Sequence, residues 1–194
     1  MYALYLKKGK RFEAINYRPV SLTCICCKIM EHIVISHIMN HADKHNILYK
    51  MQHRFRKKLS CETQQVELID DVTRNLDSGQ QTDCLIMDFS KTFDKVSHSL
   101  LIHKLDQHGI KGKTNAWIKL KGFLSDRTQR VVIEGEKSDI IKESGVPQGS
   151  VLVPSLFLFY INDMPDNITS TVRLFADDTI AYLTVSSTTP CKKT

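Results

Sequence analysis

The sequence predicts an α+β fold, and three observations carry that expectation. Apolar residues recur at helical spacing in several separate stretches; one short apolar run, Cys84–Phe89, is long enough for a buried strand and too short for a helix. Two further segments read as hairpins, each a pair of short runs around a turn: 128–143 around Gly135, and 172–185 around Asp177-Asp178-Thr179.

The elements follow in order. Ile25, Ile29, Ile33 and Ile38 give Cys24–His45 an apolar stripe, with Ser21 or Thr23 as the cap and His45-Asn46 as the stop. Val66, Ile69, Val72 and Leu76 repeat at the same spacing after Ser60, and Asp77-Ser78-Gly79 ends that helix. The run CLIMDF follows as a buried strand whose end carries Asp88. Ser97–His108 is expected as a helix stopped at Gly109, Trp117–Leu124 as another weakened by Gly122, and Ser150 as the cap of a helix to about Asp163. Beyond Val185 the tail is polar.

Composition bounds the class. A chain of 194 residues with 42% hydrophobic and 25% charged residues can bury a core, which excludes disordered and collagen-like proteins. The most apolar stretch, Val151–Ile161, contains Pro154 and is far short of the roughly 20 residues a membrane span needs, so no membrane partner is expected. The start MYALYLKKGKR has its charges after a very short apolar run, the reverse of a secretory signal, and a reducing, intracellular setting (nucleus or cytoplasm) is the expectation.

Charge is unevenly placed. Residues 1–60 hold 12 Lys/Arg against 3 Asp/Glu, a net +9, while residues 61–194 hold 15 against 18, a net −3. A basic front joined to a mildly acidic remainder suits a polyanion gripped at one end and carboxylate chemistry at the other. Of the six cysteines, Cys24 and Cys27 form a C-x-x-C followed by His37 and His41, but the gap is shorter than the roughly 12 residues a zinc finger needs. These cysteines are instead expected as small core fillers on the first helix.

Three carboxylates stand out. Asp88 directly follows an apolar run, and Asp177 and Asp178 lie between Leu174-Phe175 and Ile180. A carboxylate at the edge of a buried strand is costly unless paired or bound to a cation, and adjacent aspartates repel each other. Mg²⁺ answers both, because it takes oxygen ligands from one or two carboxylates plus substrate phosphates. A plain turn at Asp177-Asp178 and a strand-end cap at Asp88 remain the competing reading at this level.

DFSKTFDKVSH at 88–98, SGVPQGSVLVPSLFLFYINDMP at 144–165 and FADDT at 175–179 resemble polymerase motifs A, B and C of reverse transcriptases from non-LTR (LINE-type, jockey-like) retrotransposons. KKGKRFEAINYRPVSLT at 7–23 and QHRFRKKLSCETQ at 52–64 resemble the fingers motifs of the same family, and TQRVVI at 128–133 its palm connection. The resemblance implies a right-hand polymerase, with fingers over about residues 1–80, a palm of antiparallel strands backed by helices over about 81–185, and a tail at 186–194. The implied activity is RNA-directed DNA synthesis, with an RNA template, a DNA primer and dNTP as partners, and two Mg²⁺ ions, or Mn²⁺ in their place, as the only cofactor.

By the same resemblance, Asp88, Asp177 and Asp178 are the catalytic carboxylates and metal ligands, joined by the Phe89 carbonyl. Arg18, with Lys7 or Lys8, meets the triphosphate; Phe93 is the gate against a ribose 2′-hydroxyl; Gln148 contacts the nucleotide; Arg56 and Gly149 meet the template. The chain departs from the pattern at Arg54 and Val153, which stand where the family has glycine, at Thr92, which stands for alanine, and around Lys119–Gly122, which is stretched. Because the sequence stops just after motif C, a partial copy without thumb or primer grip is expected, with weak or no processive synthesis; a non-catalytic nucleic-acid-binding relic of such an element is the alternative.

Overall fold

The computed structural model describes residues 2–6, 9–10, 16–21, 23–90, 92–119, 124, 128–129, 132–133, 136–137, 139, 141–142, 145–147 and 149–185. Its elements run β1 (Tyr2–Leu6), β2 (Tyr17–Ser21), α1 (Ile25–Lys44), α2 (Cys61–Asp77), β3 (Gln81–Asp88), a 3₁₀ turn (Phe93–Lys95), α3 (His98–Gln107) and α4 (Gly112–Lys119). There follow β4 (Thr128–Gln129), β5 (Val132–Ile133), β6 (Glu136–Lys137), β7 (Ile141–Lys142), α5 (Val153–Ile161), β8 (Thr171–Phe175) and β9 (Asp178–Val185). The expected α+β character holds. No helix of the described residues is long and apolar enough to cross a membrane.

The chain divides into two compact units that interleave along the sequence. The first comprises Met1–Ile47 and Lys91–Ile161, the second Leu48–Ser90 and Asn162–Thr194.

In the first unit β1 and β2 pair antiparallel, with Tyr5 opposite Arg18. The cap of α1 is neither Ser21 nor Thr23: Cys24 is extended, and its thiol accepts the Cys27 N–H at 3.3 Å. Cys24, Cys26 and Cys27 are exposed, which corrects the expectation of core fillers. The stripe shifts as well. Glu31, Ile35, Ile38 and Ala42 form the buried face, and Ile25, Ile29 and Ile33 lie roughly opposite, 52–77% exposed. Glu31, 3% exposed, accepts from Ser150 Oγ and Val151 N, both at 2.7 Å, and from Leu152 N at 3.3 Å, so it satisfies the amides just ahead of α5. Helices α3 and α5 pack together, with Leu101 and Leu105 buried on the first and Leu156 and Phe159 on the second, and Ser97 caps α3. Helix α4 starts five residues earlier than the sequence suggested, at Gly112. The pairings β4 with β7 and β5 with β6 match the expected 128–143 hairpin.

The second unit is built on an antiparallel sheet of order β3-β9-β8. Ser60 caps α2 in a reciprocal box with Thr63: the Thr63 N–H donates to Ser60 Oγ at 3.2 Å, and the Ser60 N–H to Thr63 Oγ1 at 2.9 Å. Val66, Ile69 and Leu76 are exposed, Val72 is half-buried as expected, and the rest of the shielded face of α2 carries Gln64, Leu68, Asp71 and Asn75. The reason is Arg173 of β8, 4% exposed, whose guanidinium donates to Glu67 at 2.6 Å, Asp71 at 2.7 Å and the Tyr182 hydroxyl at 2.8 Å. A buried charge needs such partners, and they displace apolar residues from the inward face. Strand β3 also departs from expectation: Leu85 and Ile86 are 59% and 78% exposed.

Candidate active site

The second unit holds all three carboxylates singled out in the sequence. Strands β3 and β9 pair from Gln81 with Val185 to Asp88 with Asp178, so Asp88 and Asp178 stand directly opposite at the last position of the ladder. Such facing residues have Cβ atoms about 4.5–5.5 Å apart, and like charges there destabilise the pair. Asp177 precedes Asp178 in a two-residue turn, Ala176-Asp177, that links Phe175 to β9. The sequence suggests a turn at Asp177-Asp178-Thr179; the observed turn begins one residue earlier and ends two earlier, and Asp178 belongs to the strand.

Ala176 takes φ of +58°, while Asp177 does not enter the left-handed region. A positive φ at the first position of a two-residue hairpin turn favours glycine, and a side-chain-bearing residue pays about 1–2 kcal/mol for it. Neighbouring bonds hold the strained residue. Leu174 donates to the Met51 carbonyl and accepts from the His53 N–H, both at 3.1 Å, and the Ala176 N–H donates to Gln52 Oε1 at 3.0 Å. Tyr49 anchors the same segment through its N–H to Asn162 Oδ1 at 2.8 Å and its hydroxyl to the Val172 carbonyl at 2.9 Å.

The carboxylates are not buried: Asp88 and Asp178 are exposed and Asp177 is half-exposed, against the expectation of buried strand edges. No ion pair among the described residues reaches Asp88 or Asp178. Two arginines of this unit pair with other carboxylates, Arg173 with Glu67 and Asp71, and Arg74 with Asp70 at 2.7 Å. Among the described residues no three His, Cys, Asp or Glu side chains converge as a ready-made metal cage. That is compatible with Mg²⁺, which keeps several waters and uses one or two carboxylates together with substrate phosphates. On α1, His41 Nε2 lies 2.9 Å from the His108 carbonyl oxygen.

The remaining site residues fall as follows. Phe89 directly follows Asp88 and is 41% exposed. Arg56, half-buried in the second unit, donates to the Tyr49 carbonyl at 3.2 Å. Arg18 is on β2 in the first unit, and Lys7, Lys8 and Gln148 lie outside the described residues. Phe93 opens the 3₁₀ turn with its ring centroid 4.7 Å from that of Phe157, so it packs on α5. Its carbonyl accepts the Val146 N–H at 3.0 Å, which ties the start of the 145–149 loop to the residues after β3. A Cβ on Gly145 would fall 2.3 Å from that carbonyl oxygen, so only glycine fits; Gly149, exposed, has φ of +96°.

Two departures from the motif pattern receive a structural account. Val153 is buried in the first turn of α5 and is not in the left-handed region, so a β-branched side chain is no misfit there. Arg54 likewise needs no glycine geometry, and its guanidinium lies 4.6 Å from the Phe175 ring centroid, stacked on the residue that leads into the turn. Gln52 and Arg173 are the residues that sequence reasoning missed. Gln52 was visible within QHRFR, while an arginine in an apolar strand, TVRLF, was the one signal for Arg173.

The family model described as reverse transcriptase (RNA-dependent DNA polymerase) matches residues 6–191. An RNA-directed DNA polymerase from mobile element jockey of Drosophila melanogaster is 30% identical over 93% of this chain and 20% of its own length. The jockey polymerase of Drosophila funebris is 28% identical over 95% of this chain and 21% of its own. A probable RNA-directed DNA polymerase from transposon BS of Drosophila melanogaster is 29% identical over 82% and 17%. The chain thus spans about a fifth of the length of these curated relatives.

Proposed function

Because the chain belongs to the reverse transcriptase (RNA-dependent DNA polymerase) family, we propose that it carries the RNA-templated DNA polymerase site of a non-LTR retrotransposon. The observation that carries this reading is the β3–β9 register, which sets Asp88 against Asp178 with Asp177 next in the chain. Opposed carboxylates with no ion pair at Asp88 or Asp178 among the described residues are an arrangement that a divalent cation stabilises. Asp88, Asp177 and Asp178, with the Phe89 carbonyl, would hold two Mg²⁺ or Mn²⁺ ions. Bound there, the metal supplies positive charge against the phosphoryl oxygens.

The chain's own residues do the rest. A primer 3′-hydroxyl forms a bond to the α-phosphorus of a dNTP, the bond to the β-phosphate oxygen breaks, and pyrophosphate leaves with the hydroxyl proton passed to solvent. Arg18, with Lys7 or Lys8, binds the triphosphate, where a guanidinium fork matches phosphate oxygens. Phe93, braced by Phe157, presents a fixed ring against a 2′-hydroxyl. Gln148 orients the nucleotide, and Arg56 and Gly149 hold the template strand by side chain and backbone.

Primer extension on an RNA template with dNTP and Mg²⁺ tests the proposal. Asp88→Asn and Asp177→Asn should each lower extension by at least about 100-fold while leaving RNA binding intact. Extension unaffected by both substitutions would refute the assignment. Salt-sensitive RNA binding with no Mg²⁺-dependent extension would favour the binding-module reading, which the +9 charge of residues 1–60 supports.

A further inference from the structure

We propose that Gln52 is a positioning residue for the carboxylate turn, its side-chain oxygen fixing Ala176 and thereby the direction in which Asp177 and Asp178 point. Gln52 is 2% exposed, and its Oε1 accepts two backbone N–H groups, from Ala176 and from Arg54, both at 3.0 Å. Only the oxygen of the amide can accept, so these two donors set its orientation. The amide nitrogen, facing the other way, has no hydrogen-bond partner among the described residues. The side chain therefore satisfies the turn at the expense of its own donor, which is not how a glutamine that merely fills space would sit.

The turn needs that help. Ala176 holds φ of +58° without being glycine, and such residues persist only where surrounding bonds over-determine them. The bonds around Leu174 come from the backbone of Met51 and His53 and do not involve the Gln52 side chain. Edge pairing of β8 and fixation of the turn are thus separable, the first made by main chain and the second by one side-chain oxygen. The consequence for metal binding rests on the reading of Asp88, Asp177 and Asp178 as ligands; the fixation of Ala176 does not.

Two measurements on the full chain test the role. Amide hydrogen exchange should find Ala176 protected in the parent. In Gln52→Met its exchange should rise at least about 10-fold while Leu174 stays within about twofold, a contrast that general destabilisation would not give. Titration with Mn²⁺ alone, followed by electron paramagnetic resonance, should show affinity about 10-fold weaker in Gln52→Met. Adding Ala176→Gly, which accepts positive φ without strain, should restore most of it. An Ala176 amide whose exchange is unchanged in Gln52→Met, equal acceleration at Leu174 and Ala176, or unchanged Mn²⁺ affinity would overturn the proposal. If Asp177→Asn left Mn²⁺ affinity unchanged, the metal reading would fail while the exchange result still decided the fixation of Ala176. Should Gln52→Met not fold, the parent alone decides, since an unprotected Ala176 amide there also overturns the proposal.

Discussion

Arg173 keeps its charge out of water because three oxygens from two elements meet it: Glu67 and Asp71 on α2 and the Tyr182 hydroxyl on β9. The Tyr182 hydroxyl in turn donates to Asp71. Burial alone would raise the Asp71 carboxyl, but hydrogen bonds from Tyr182 and Arg173 outweigh it and hold it below the usual carboxylate value. The Tyr182 phenol is pushed up to about 12, chiefly by burial and then by the Asp71 carboxylate. Next to this network His53, 2% exposed, sits 3.6 Å from Glu67 and 3.0 Å from Thr63 Oγ1. Burial depresses its pKa, and the Glu67 carboxylate only partly offsets that. The sign for stability follows. Below about pH 6.5 the unfolded chain takes up the proton before the folded one does, so His53 contributes stability that is present above that pH and lost as pH falls. Urea denaturation at pH 7 and pH 5 should therefore show a larger loss of stability on acidification in the parent than in His53→Asn. An equal loss in both would mean that His53 is not held neutral by the fold.

At the scale of elements, Glu31 is the clearest case of one residue joining two helices. It lies on the buried face of α1 and accepts from Ser150, Val151 and Leu152 ahead of α5, where a negative charge also suits the positive end of the helix. Glu31→Ala should cost roughly 3 kcal/mol, because buried donors lose a charged acceptor, and Glu31→Gln only about 1 kcal/mol, because one oxygen remains. Chemical denaturation checks both, and an alanine variant as stable as the parent would contradict the account. The existence and type of most helices were legible from spacing and from turn residues such as Asp77-Ser78-Gly79 and Gly109. Their inward faces were not. On α1 the buried carboxylate, and on α2 the partners of Arg173, put polar residues where an apolar stripe was expected, and periodicity carries no information about a charge on a distant strand. The hairpin boundary at Ala176 was missed for a related reason: Asp-Asp-Thr reads as turn chemistry, whereas the left-handed residue is an alanine secured by bonds from residues more than a hundred positions earlier.

For the molecule as a whole, the three carboxylates belong to the second unit, while Arg18, Phe93 and Gly149 belong to the first. Motif spacing identified the family and singled out these residues, but it did not show that β3 and β9 end together with Asp88 opposite Asp178, because register depends on the full ladder back to Gln81 and Val185. That shared end is the central claim, since a metal held jointly by both strands requires it. Replacing Mg²⁺ with Fe²⁺ and allowing it to generate hydroxyl radicals in place tests it without relying on polymerase turnover. Backbone cleavage should appear together beside residue 88 and beside residues 177–178, and both cuts should weaken in Asp88→Asn. Cleavage confined to the Glu67–Asp71 stretch of α2, or cuts at 177–178 that persist unchanged in Asp88→Asn, would contradict a single site shared by the two strands.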